Sequence, residues 1–285
     1  MKDTKKFRRA SVKGADSSGT LRALFANRNY TLYTMANGTS LVGLWIQRLA
    51  VGWLTWQLTN SALWLGIIAF ADLCPTVVVG PFAGALADRH SRLRVAWVTQ
   101  VMAFAQAVVL CVMTWTGFIT IWWLLLLTFL LGVFHGAGQP ARLALVASLV
   151  QRENLGTAIA FNSVVFNSAR FAGPALAGII ITTMGIAPAF FMNALSFLGL
   201  VVVLPHLKLP LATPKKRPTG SLSTDVAEGF RYCLGHSSIG PLLLMMMAAS
   251  VLAAPVAELL PAFADEVFER GAAGLAWLTS ATGIG

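Results

Sequence analysis

Charged side chains are scarce in this 285-residue sequence: Asp, Glu, Lys and Arg together make up 11% of it, against about 25% in an ordinary soluble domain. Water is therefore not expected to be its only solvent. Cysteine is scarce too, and Cys74, Cys111 and Cys233 have neither an even count nor metal-ligand spacing. A disulfide framework and a zinc site are both excluded as organising devices, which leaves packing residues or free thiols. The four histidines, His90, His135, His206 and His236, do not cluster with acids or cysteines, so a metal-dependent membrane enzyme is disfavoured and no cofactor is expected. A GxxxxGK[ST] loop is missing, so ATP chemistry by this chain is unsupported. The first thirty residues lack the apolar core of a cleavable signal.

What is abundant is apolar sequence, 56% of the chain. It is gathered into long runs at 31–58, 62–86, 94–116, 120–148, 156–184, 186–205 and 239–262, with an eighth beginning near Ala272. About 20 apolar residues in a helix span a hydrocarbon core of about 30 Å. In hydrocarbon every backbone donor and acceptor must be satisfied internally, which leaves helices or closed barrels, and these runs lack the two-residue alternation of barrel strands. The reading is an all-α integral membrane protein. Residues 1–29 form a basic tail, 30–205 a six-helix transmembrane half, 206–238 a linker and 239–285 the start of a second half. The last segment, "GLAWLTSATGIG", is too short to complete a span, so the sequence reads as truncated, with the rest of the second half missing. Within the linker, Asp225 and Glu228 resemble a helix-start pair, and Val226, Phe230, Cys233 and Leu234 share a helical face. An amphipathic helix on the inner surface and a partly ordered loop both fit.

A formal net charge of +10 suggests nucleic acid until the basic residues are placed. The amino-terminal tail holds Lys2, Lys5, Lys6, Arg8, Arg9, Lys13, Arg22 and Arg28. Arg89, Arg92 and Arg94 follow the second run, Arg152 follows the fourth, and Lys208, Lys215, Lys216, Arg217 and Arg231 follow the sixth. The alternate connections "TNSA", "GFIT" and "MGIA" carry no charge. This is the positive-inside pattern, so the partner is a lipid bilayer, the amino terminus is cytoplasmic, and no nucleic-acid role is expected.

The second run ends in "GALADRHSRLR", in which Gly84, Asp88, Arg89, Arg92 and Arg94 resemble the signature loop of the major facilitator superfamily; Ser91 stands where the family pattern has a glycine. In the fifth run, Gly173, Pro174 and Gly178 match the glycine-proline motif of the superfamily's antiporters and exporters, while Ala160, Ala169 and Ala177 occupy three other family glycine positions. The segments "WIQRLAVGWLTWQLTNS", "LCPTVVVGPFAGALADR" and "GAGQPARLALVASLV" further resemble the bacterial branch of enterobactin exporter-like permeases and transmembrane secretion effectors. The resemblance implies a major facilitator-type helical bundle, two six-helix halves around a central cavity, of which this chain holds the complete first half plus the seventh and a partial eighth helix. It also implies a secondary active exporter in the bacterial inner membrane. Such a protein uses a proton gradient to move a small organic molecule, such as a siderophore, a drug or a related metabolite, by alternating access. A channel, a non-transporting receptor and, last, a membrane enzyme are the alternatives.

A carboxylate at the carboxyl end of a helix opposes the helix dipole, so Asp88 needs a partner. Arg142, at the inner end of the fourth run, or an arginine of the loop itself is expected to supply it, making the loop a latch on the cytoplasmic side. Charges inside the spans are functional candidates by default, and they are Arg48, Asp72, Arg170 and Glu258, joined by the titratable His135. Arg48 and Asp72 each lie twelve positions from the turn near residue 60, about 18 Å along their helices. Equal depth permits an ion pair, and a substrate or proton role for Asp72 stays open beside it. Arg170 reads either as a cavity residue or as a packed arginine on neighbouring carbonyls, Glu258 as lining the outer mouth or as interfacial, and His135 as a proton shuttle or a hydrogen-bonded neutral ring. Trp53, Trp56, Trp64, Trp115, Trp122 and Trp123 lie near the outer ends of runs, where an aromatic belt accounts for most of them. Met245, Met246 and Met247 fit lipid contact, packing or an adaptable cavity wall.

Overall fold

The computed structural model of the chain describes residue 22 and residues 24–89, 91–208, 231–232, 235–236 and 239–284, with the backbone alone for 85–89, 247–256 and 283–284. Eight principal helices follow one another: α1 Arg28–Thr59, α2 Ala62–Arg89, α3 Arg92–Trp115, α4 Ile121–Leu149, α5 Leu155–Met184, α6 Ile186–Val203, α7 Ile239–Glu258 and α8 Gly271–Ile284. No strand occurs among the described residues. The linker and its amphipathic face at 225–234 lie outside the described residues, apart from Arg231 and Tyr232.

Local chemistry sets the helix ends. Asn27 caps α1 by accepting from the backbone N–H groups of Asn29 and Tyr30, which satisfies two donors that lack partners in the first turn. Its amide also donates to the Leu149 carbonyl at 2.8 Å, tying the start of α1 to the end of α4. At the far end Asn60 takes the left-handed conformation, with φ 45°, and Gly185 separates α5 from α6 at φ 91°, where a side chain would be strained. These turns, with the one at 116–120, define a short-turn end of the bundle; the opposite end carries Arg92, Arg152 and Lys208.

One expectation needs correction. The seventh run is not one span through 262: α7 stops at Glu258, and a short turn, Leu260–Ala262, is followed by a π-helical turn, Phe263–Val267. Pro261 sits in the first turn of the new segment, where its missing N–H costs nothing, whereas continuing α7 through it would break a hydrogen bond. Five helical segments among the described residues are long and apolar enough to cross a membrane: Ala62–Gly84, Arg92–Trp115, Ile121–Leu149, Arg152–Met184 and Ile186–His206. α1 has the length and carries more polar residues than these, and Asn37, Ser40, Gln47 and Thr55 are buried among its neighbours rather than turned to lipid.

α2 packs chiefly on α4, α1 on α6 and α5, α3 on α4 and α6, and α8 on α5. Between apolar helices in a membrane no hydrophobic force drives association, so close van der Waals fit and interhelical hydrogen bonds must do so. At the α2–α4 seam, Thr76 donates to the Gly132 carbonyl at 3.0 Å, and a side chain at Gly132 would overlap the carbonyl of Asp72. α1, α3 and α6 are joined by amides: Gln47 Nε2 donates to Gln106 Oε1 at 3.3 Å, Asn193 Nδ2 donates to Gln47 Oε1, and Gln106 Nε2 reaches the Leu127 carbonyl of α4 at 3.2 Å. One apolar cluster, with Trp53, Trp56, Leu124 and Phe190, fills the short-turn end; a second, with Tyr30, Tyr33, Leu145 and Leu204, fills the basic end. Large apolar side chains such as Leu63, Phe70, Val77 and Trp115 remain exposed, as expected of a surface that faces lipid.

Candidate functional site

Arg48 is the centre of the candidate site. Its Nη2 lies 3.6 Å from Asp72 Oδ2 and 3.4 Å from Glu258 Oε1. The α1–α2 turn brings the first two to equal depth, and α2 is held in register by the Thr76–Gly132 bond one turn from Asp72. Glu258 comes from the last residue of α7, so one guanidinium joins the first six helices to the seventh. All three side chains are partly open, with 45% of Arg48, 28% of Asp72 and 33% of Glu258 exposed, and together they face a cavity of about 150 Å³ whose other polar walls are Gln47, Thr128 and His135. The His135 ring stands edge-on to Phe197, with centroids 6.4 Å apart.

A second compartment of about 250 Å³ shares Trp45, Arg48, Gly52 and Glu258 with the first, and Arg170 lines it. Trp45 lies one helical turn before Arg48. Its indole has the Arg48 guanidinium 5.4 Å from the ring centroid and that of Arg170 at 5.9 Å, both within cation–π range. Phe166 meets the same indole edge-on at 6.1 Å. Arg48, Asp72, His135, Arg170 and Glu258, drawn from α1, α2, α4, α5 and α7, thus converge on two adjoining cavities.

The glycine-proline motif builds the wall beside them. A side chain at Gly173 would overlap Trp45 Cβ, so glycine there lets α5 approach α1 next to Arg48. A side chain at Gly178 would overlap Ala276 Cβ of α8. Pro174 lies inside α5 and has no N–H to offer the carbonyl of Arg170, four residues earlier. The signature loop is only partly visible. The side chains of Asp88 and Arg89 lie outside the described residues, and so does the expected Asp88–Arg142 pairing. No described residue lies within 4 Å of the place a side chain at Gly84 would occupy. Arg92 donates to Ser148 Oγ of α4 at 3.2 Å, and Arg94 is exposed. Arg142 has its Nε and Nη2 buried without a hydrogen-bond partner among the described residues, while its carbonyl accepts from the Tyr33 hydroxyl at 3.4 Å.

Two of the six tryptophans near the outer ends of runs are not available to an aromatic belt, and a further tryptophan was overlooked. Trp53 and Trp56 are buried, Trp56 to 3% exposure, beneath the segment between α7 and α8, so they do not belong to an aromatic belt. Trp115, Trp122 and Trp123 are exposed, and Trp64 packs edge-on against Trp122 at 5.2 Å. Trp45 was missed, although its place one turn from a charge inside a span was a usable signal. Met245 and Met246 are exposed, and the side chain of Met247 lies outside the described residues.

The profile of the transmembrane secretion effector family matches residues 20–285, nearly the whole chain. The chain belongs to that family, within the major facilitator superfamily. Among curated relatives, the staphyloferrin A transporter of Staphylococcus aureus (strain NCTC 8325 / PS 47) is 29% identical over 171 residues, 59% of this chain and 43% of that protein. The MFS-type transporter YfiS of Bacillus subtilis (strain 168) is 29% identical over 217 residues, 74% of this chain and 51% of its own length. The enterobactin exporter EntS of Shigella flexneri is 29% identical over 231 residues, 81% of this chain and 52% of that protein. The chain thus spans about half the length of these relatives.

Proposed function

We propose that the full protein is a secondary active exporter that moves a small organic molecule across the bacterial inner membrane by alternating access, driven by protons. The observation that carries this reading is the position of Arg48 between Asp72 and Glu258. One guanidinium offsets one carboxylate charge, so the second carboxylate is stable in a low-dielectric cavity mainly when it holds a proton or when a cation replaces the proton. A proton arriving at either acid therefore changes which of them Arg48 grips. Because the acids sit on α2 and α7, the exchange alters the contact between the two groups of helices. The names of the relatives, a staphyloferrin A transporter and an enterobactin exporter, favour a siderophore-like molecule as cargo.

The basic connections favour an amino terminus in the cytoplasm, and on that reading the short-turn end is the outer one. There, Trp53 and Trp56 lie under the α7–α8 connection, which supports an arrangement closed at the outer end. The signature loop, with Asp88 paired to Arg142 or to one of its own arginines, is the matching latch for the opposite state. The test is flux in proteoliposomes of the full-length protein loaded with a candidate siderophore. An imposed pH gradient should drive uptake or release, and Asp72→Asn or Glu258→Gln should abolish the gradient dependence. Flux indifferent to the gradient, or ungated ion current, would overturn the proposal. Asp88→Asn should slow flux while leaving expression intact, and unchanged flux would dispose of the latch.

A further inference from the structure

Two guanidinium groups converge on the Trp45 indole, and only one of them has anionic company. Arg48 has two carboxylates within 4 Å, whereas Arg170 forms no ion pair among the described residues. Arg170 is nevertheless placed along a membrane-spanning helix and lines the 250 Å³ compartment. An arginine in such a position is costly unless it meets an anion, water or carbonyl groups. Arg170 is exposed rather than packed away, and Gly173, one turn on, seats α5 against Trp45, so its guanidinium stands 5.9 Å from the indole centroid. The surroundings supply the rest of a binding site: Trp45 lines the compartment, with Phe166 edge-on against it from the adjoining cavity, and Glu258 is the one acidic group among the described residues that line it.

A guanidinium offers a planar fork of donors that matches a carboxylate or an ionised phenol, and an indole face accepts a flat unsaturated body. We infer that Arg170 and Trp45 form an anion-and-aromatic subsite, so that the cargo is an organic anion with a planar unsaturated portion, its anionic group on Arg170. This rests on reading the cavities as a transport pathway. Glu258 lines the same compartment and sits against Arg48, so an incoming anion is repelled while Glu258 is ionised and accepted when it is protonated. The subsite thereby links binding of cargo to the acid that the proposed function gives to proton movement.

The test is binding of radiolabelled 2-naphthoate to the full-length protein in detergent micelles, with 2-naphthamide as a neutral competitor of the same shape. Saturable binding of the naphthoate is expected, with the amide competing at least tenfold more weakly. Arg170→Gln should weaken binding about tenfold, the loss of one charge-assisted hydrogen bond, and Arg170→Lys by less, since charge remains and the fork is lost. Trp45→Phe should weaken both compounds alike. Arg170→Lys also guards against misfolding: a monodisperse Lys variant that binds while the Gln variant does not supports the subsite. No saturable binding, equal competition by the amide, or an unchanged Arg170→Gln affinity would overturn it. The two readings fail separately. Arg170-dependent binding without gradient-driven flux sinks the transport reading and leaves the subsite, and gradient-driven flux without Arg170-dependent binding does the reverse.

Discussion

The indole nitrogen of Trp56 donates a hydrogen bond to Asp265 Oδ2 over 2.8 Å, joining the end of α1 to the π-helical turn between α7 and α8. The residues are 209 positions apart. Around this bond, Trp53 approaches Gly271 and Pro261 lies against Gly52, so a single polar contact is set in apolar packing. A hydrogen bond to a charged group is worth about 1.5–3 kcal/mol. Trp56→Phe keeps the ring and removes the donor, so it should free the 263–271 segment. Hydrogen exchange there should speed up by about tenfold or more. Asp265→Asn keeps an acceptor oxygen and should change exchange much less. Equal exchange in all three proteins would show that packing alone holds the turn.

That pair also marks where sequence reasoning ends. The helices were legible because apolar runs of membrane length are interrupted by residues with a physical reason to turn, such as Asn60 and Gly185. The charges inside the spans were legible as candidates because burying them is costly. What no run or spacing contains is the direction in which a remote segment folds back. Glu258 meets Arg48 across 210 positions, and a tryptophan near a helix end looks the same in sequence whether it meets lipid headgroups, as Trp115 is free to do at 71% exposure, or is covered like Trp56. The Gln47 bonds were invisible for the same reason, since each amide sits on a different helix.

Arg48 should be the least replaceable member of its triad. Arg48→Met strands two carboxylates beside each other, whereas Asp72→Asn or Glu258→Gln leaves Arg48 with one anionic partner. The expected order of melting temperature in micelles is therefore wild type close to either carboxylate variant, with Arg48→Met well below. The triple variant Arg48→Met/Asp72→Asn/Glu258→Gln should recover much of the loss, because groups in one network are not additive. A triple variant that falls below Arg48→Met would show that the charges themselves, not their balance, hold the helices together.

The seam between α5 and α8 makes a reciprocal prediction. A side chain at Gly178 would overlap Ala276 Cβ, and overpacking of this kind costs about 1–3 kcal/mol. Gly178→Ala should destabilise the protein, and Ala276→Gly in the same chain should restore it by making room on the other side. Thermal melting of the four proteins forms a double-mutant cycle. Additive effects would mean that the two positions do not meet in the folded protein.

The amides at Gln47, Gln106 and Asn193 test whether buried polarity here stabilises or only orients. Gln47 both donates to Gln106 and accepts from Asn193, so Gln47→Leu leaves two buried groups short of a partner, at about 1–3 kcal/mol for each one stranded. Asn193→Leu strands only one side of Gln47 and should cost less. If the network chiefly orients α1, then Gln47→Leu should also turn Arg48 away from Asp72, because the two residues are adjacent on α1 and share the cavity wall. A pH-gradient flux assay on a stable Gln47→Leu protein separates the two. Lost stability with intact gradient coupling assigns the network to folding, and lost coupling at near-normal stability assigns it to positioning Arg48.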